Sequence, residues 1–73
     1  SETIDLKPEL QEILGWETTP KIIEFISAEV SKLGDTAISE GQLNGWMDQL
    51  KKDMGIKGKP LFQGVRAALT GHD

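Results

Sequence analysis

Apolar residues recur along this chain at helical rather than strand spacing, in four blocks set apart by glycine, proline or capping residues. Leu6, Leu10, Ile13 and Leu14 share one face of a short segment. Pro8 suits its first turn, where a missing N–H has no intrahelical partner anyway. Gly15 suits a left-handed stop. Trp16 then opens a connector and is expected to plug the core, since large aromatics dominate small cores.

Thr19-Pro20 reads as a helix start, with the threonine as N-cap and the proline in the first helical position. Ile22, Ile23, Ile26, Val30 and Leu33 follow on one arc, with Phe25 at its edge, and Gly34 ends the run. This is the most apolar block and the expected spine of the core. Glu29 falls inside the arc by angle. It must snorkel outward or find a cation, because an unpaired carboxylate is costly to bury.

After a short connector, Ser39 and Gln42 form the S-x-x-Q pattern of a capping box. Leu43, Trp46, Met47, Leu50 and Met54 make the next stripe, which is expected to be core. Gly41 and Gly45 each weaken that helix by roughly 1 kcal/mol relative to alanine. Gly45 precedes Trp46, so a neighbour packing closely there is expected. Asp48 stands four residues before Lys52, a surface pair worth tenths of a kcal/mol. Gly55 ends the helix, and Ile56 turns inward as the apolar contact that accompanies such caps. Lys57, Gly58 and Lys59 precede Pro60, expected at the first position of the last helix. Leu61, Phe62, Val65, Ala68 and Leu69 form its apolar face, and Arg66 lies about forty degrees beyond Phe62.

The pattern predicts one all-α domain over residues 1–73, a small bundle of about four short helices near 6–14, 20–33, 40–54 and 60–70. A core of this size is marginal alone and leans on partners or neighbouring domains. No cysteine is present, which excludes disulfides and thiolate metal sites and fits a reducing, cytoplasmic compartment. No apolar run approaches the ~20 residues of a membrane helix.

Charge changes the picture by its distribution. The net charge is −4, but residues 1–50 carry −7 and residues 51–73 carry +3. Such a split focuses positive potential at one end, where an anion could be steered. Lys57 and Lys59 flank Gly58 just before a helix start, so two ammonium groups, bare backbone N–H groups and the positive helix end make a phosphate grip. The alternative is a solvated turn in which the glycines serve only as cap and hinge. Arg66 also has two roles open to it. It can pair with Glu29, the misplaced acid of the spine helix, which the residues favour. It can instead contact RNA phosphate or a stacked base, which a planar guanidinium does well.

Catalytic constellations are missing. His72 is the one histidine, so no Ser-His-Asp or Cys-His set can form upstream, and no cluster has metal-ligand spacing. Gly58-Lys59 is not a P-loop, since Pro60 stands where serine or threonine must ligate magnesium.

The stretch GIKGKPLFQGVRAALTG, from Gly55 to Gly71, resembles the last helical segment of glutamyl-tRNA synthetases in their anticodon-binding region, which looks like GxKGKxLFxPxRxALTG. Gly55, Lys57, Gly58, Lys59, Leu61, Phe62, Arg66, Ala68, Leu69, Thr70 and Gly71 match, and Gly64 replaces the usual proline. The specific match covers roughly a quarter of the chain; the upstream helices fit in order and spacing. The resemblance implies an α-helical cage subdomain of the class I synthetase anticodon-binding type. Its parent enzyme, a glutamate-tRNA ligase, uses ATP and Mg²⁺ to attach glutamate to its tRNA. The implied partners are glutamate-accepting tRNA and the parent's catalytic domain. Both signature motifs of class I catalytic domains are absent, so this fragment is expected to be non-catalytic and without a cofactor of its own. The tRNA-binding positions expected here are Lys57, Lys59, Arg66 and Thr70. In the family a Pro-x-Leu element beyond the Thr-Gly touches anticodon bases, and it would fall past Asp73. Weak RNA binding with poor sequence reading is therefore expected.

Three rivals are open. Gly55-Ile56-Lys57-Gly58 formally matches the GXXG loop of KH modules, but those need a three-stranded sheet. A helix-hairpin-helix would grip nucleic-acid backbone through a similar turn, although GIKGKP fits the usual turn poorly. A helical protein-interaction module would suit the acidic first fifty residues.

Overall fold

A computed structural model of the protein describes residue 8, residues 12 and 13, and residues 16–70. Among the described residues there are three helices and no strand: α1 (Thr19–Leu33), α2 (Glu40–Met54) and α3 (Lys59–Thr70). A three-stranded KH sheet is thus absent from these residues. The expected helix over 6–14 falls largely outside them; Pro8, Glu12 and Ile13 are helical within it.

The start of α1 lies one residue earlier than expected. Thr18 is the N-cap, with φ −76° and ψ −21°, and its side chain makes no capping bond. Thr19 is the first helical residue and is buried. Its hydroxyl donates to the Ile13 carbonyl instead of capping. A buried hydroxyl needs a partner, and the chain folded against it supplies one that no local pattern records. Trp16 is half-buried and bridges Ile13 and Thr19 by backbone bonds of 3.2 Å each, rather than joining the central core.

The start of α2 is as expected. The Gln42 N–H donates to Ser39 Oγ at 3.1 Å, and the Ser39 N–H donates to Gln42 Oε1 at 3.0 Å. At its end Gly55 takes the left-handed conformation, φ 67° and ψ 17°. The Gly55 N–H reaches Lys51 O at 3.1 Å and the Ile56 N–H reaches Leu50 O at 3.3 Å. Ile56 is thereby turned inward and buried, and the Gly55–Lys51 bond, running back four residues, makes an αL-type stop.

The core joins Ile22 and Ile26 of α1, Trp46 and Leu50 of α2, Ile56 of the turn, and Leu61, Val65 and Ala68 of α3. Both other helices pack chiefly on α3, with α1 against it most extensively. The shortest of the three helices, not the most apolar one, is therefore the spine. Close approach occurs at Gly64 rather than Gly45. A Cβ on Gly64 would strike the Ile22 Cδ1 methyl, whereas one on Gly45 meets nothing within 4 Å. Met54, expected in the core, is 45% exposed.

Glu29 is satisfied locally: Lys32, one turn on, reaches Glu29 Oε2 at 2.6 Å. This is the one ion pair among the described residues, so the Glu29–Arg66 and Asp48–Lys52 pairs expected from sequence do not form there.

Candidate nucleic-acid interface

The turn between α2 and α3 carries two glycines with positive φ, Gly55 and Gly58, the latter at 66°. Lys57 and Lys59 both project from it, exposed. Because α3 begins at Lys59, Pro60 occupies its second position, not its first. The N-terminal amides are less available than the sequence suggests. Pro60 has none, and the N–H groups of Leu61 and Phe62 both donate to Gly58 O, at 3.0 and 3.2 Å. What the turn offers an anion is mainly its two ammonium groups.

Arg66 is exposed on the outer side of α3. With Glu29 held by Lys32, its guanidinium has no ion-pair partner among the described residues. The Thr70 hydroxyl is exposed and donates to the Arg66 carbonyl at 2.9 Å, so its proton is engaged and it can serve a ligand only as an acceptor.

Sequence reasoning missed the most informative side chain of this region. Phe62 was expected on the apolar face, yet it is 54% exposed. Burial of Gly64 explains this. Leu61, Gly64, Val65 and Ala68 are the buried residues of α3, and with Gly64 against Ile22 the helix is rotated so that Phe62 comes to the rim. The glycine at 64 was the available signal: a helical glycine leaves room for a neighbour to approach, as Ile22 does here and nothing does at Gly45, and that neighbour sets which face is inward.

Lys59, Phe62, Arg66 and Thr70 then follow at spacings of three, four and four, which puts them on one stripe of α3. Beside the stripe runs an open cleft of about 370 Å³. Leu43 and Met47 of α2 form one wall; Phe62, Val65, Arg66, Leu69 and Thr70 of α3 form the other. A cation, an aromatic face, a guanidinium and a hydroxyl along an apolar cleft can hold a stacked base and its phosphates. A further hollow of about 470 Å³ lies past Leu43 and Leu69, toward Val30, Leu33 and Ile38.

Among the described residues no group of three or more His, Cys, Asp and Glu could hold a metal ion. No helix among them is long and apolar enough to cross a membrane. His72 lies outside the described residues.

The chain is similar to a short region of glutamate–tRNA ligases. It is 29% identical over 72 residues to glutamate–tRNA ligase 2 of Caldanaerobacter subterraneus subsp. tengcongensis. It is 30% identical over 71 residues to the glutamate–tRNA ligase of Listeria innocua, and 33% identical over 63 residues to glutamate–tRNA ligase 2 of Methylorubrum populi. These matches cover 99%, 97% and 84% of this chain, but the chain spans only 14% of the length of each relative. The similarity thus extends well upstream of Gly55, into α1 and α2. No protein-family pattern matches the chain, and no solved structure matches it closely.

Proposed function

We propose that this chain is an anticodon-binding segment of a glutamate–tRNA ligase, a cytoplasmic, non-catalytic helical support for glutamate-accepting tRNA. In this proposal the parent enzyme's catalytic domain attaches glutamate with ATP and Mg²⁺, and these residues hold the tRNA. Lys57 and Lys59 meet phosphates, Arg66 meets a phosphate or base, and Thr70 accepts a hydrogen bond. The observation that carries the proposal is the stripe of Lys59, Phe62, Arg66 and Thr70 beside an apolar cleft. It lies on a chain that aligns over nearly its whole length with glutamate–tRNA ligases.

Titration with glutamate-accepting tRNA at low and physiological salt tests it. Weak, salt-sensitive binding is expected, little changed by anticodon substitutions. Absence of binding at low salt overturns the proposal. Equal binding to plain duplex DNA favours a helix-hairpin-helix-like backbone binder instead.

A second reading, a helical protein-interaction module, is favoured by one observation. The hollow beside Val30, Leu33 and Ile38 leaves apolar surface uncovered at the far end of α1. Chemical-shift mapping separates the two: RNA moves residues 57 to 66, whereas a protein partner moves the acidic helices and that hollow.

A further inference from the structure

Two lysines, Lys51 and Lys52, close the last turn of α2. Both are exposed, and neither is in an ion pair among the described residues. They are consecutive, so they point about 100° apart around the helix. Lys51 continues the row Leu43–Met47 by four residues, and that row is the α2 wall of the cleft. Measured from Leu43, Lys51 lies about 80° around the helix and Lys52 about 180°, so Lys51 is the nearer of the two to the cleft. The row ends where the chain turns through Gly55 to Gly58 into α3, so Lys51, one turn past Met47, and Lys59, one turn before Phe62, flank the turn end of the cleft without lining it. Phe62 is one turn further along α3, and Arg66 one turn beyond that.

We propose that Lys51 is an RNA-backbone contact, forming with Lys59 a phosphate clamp at the turn end of the Phe62–Arg66 cleft. The proposal rests on the RNA-binding role given above and adds a residue from the other helix. A single-stranded segment lies along the cleft with a base on Phe62, and its phosphate passes between the two ammonium groups. The contact is to charge alone, so it carries no sequence information. Lys52 contributes only to the general field.

The neighbouring lysines give the test its internal control, because Lys51→Gln and Lys52→Gln remove the same charge from adjacent exposed positions. The probe is a labelled RNA hairpin carrying the anticodon arm of a glutamate-accepting tRNA, with the full chain titrated across a potassium chloride series. Lys51→Gln and Lys59→Gln are each expected to flatten the slope of log affinity against log salt by roughly 0.7, the value for one single-strand phosphate contact. The loss should be the same for hairpins of any loop sequence. Lys52→Gln should change the slope by less than half as much. Equal effects of Lys51→Gln and Lys52→Gln overturn the clamp, as does no effect of Lys51→Gln on a wild-type slope that is clearly present. In either case an affinity loss on Phe62→Ala leaves the RNA-binding role itself standing. No hairpin binding by the wild-type chain at any salt defeats that role and the clamp together.

Discussion

Gly64 of α3 lies directly on the Ile22 side chain of α1, so close that a Cβ at position 64 would collide with the Ile22 Cδ1 methyl. Ile22 is fully buried, so that methyl has little room to retreat. The contact sets how near the two helices approach and, through the rotation of α3, which residues reach the surface.

Gly64→Ala should therefore destabilise the protein. Overpacking costs about 1–3 kcal/mol, against about 1 kcal/mol of improved helix propensity, for a net loss of about 1 kcal/mol. Adding Ile22→Val removes the offending methyl, and the double variant should be more stable than the two single losses combined. Gly45→Ala is the control: its Cβ enters open space and should stabilise the protein by about 1 kcal/mol. Urea midpoints of the four variants check this, and a stabilised Gly64→Ala sinks it.

Two adjacent threonines should respond in opposite ways. Thr19→Val breaks a buried hydrogen bond and leaves the Ile13 carbonyl without its donor, at a cost of about 1–3 kcal/mol. Thr18 Oγ1 is buried and has no hydrogen-bond partner among the described residues, so Thr18→Val should be neutral or mildly stabilising. Thermal unfolding of both variants decides. Equal losses would mean that the two hydroxyls are equivalent.

Ser39→Ala removes one arm of the capping box of α2 and should cost about 1 kcal/mol. Ser39→Asp keeps an acceptor at the helix N-terminus and should recover most of that loss. Amide exchange in the first turn of α2 should report the local opening; unchanged exchange in the alanine variant counts against the cap.

Phe62→Ala and Arg66→Ala should leave the unfolding free energy within about 0.5 kcal/mol of wild type, since both side chains are exposed. RNA affinity should fall by about 1–3 kcal/mol for Phe62→Ala, the usual worth of one base stacked on an aromatic ring. A lowered midpoint with RNA affinity intact assigns the cleft to structure.

Much of the local chemistry was legible in the sequence. The Ser39–Gln42 box, the left-handed Gly55 with Ile56 turned inward, and the extents of α2 and α3 follow from side chains acting on their own backbone. So did the positive turn, since Lys57 and Lys59 cannot be buried cheaply and project into solvent. What depends on the choice among several possible partners was not legible. Thr19 left the capping role because Ile13 offered its hydroxyl an acceptor. Glu29 was expected to need Arg66, yet Lys32 reaches it across a single turn. The orientation of α3 was open until Gly64 met Ile22, because periodicity fixes the relative angles of side chains on a helix and not its rotation against a neighbour. That rotation, a product of tertiary packing, brings Phe62 out beside Arg66 and makes the cleft.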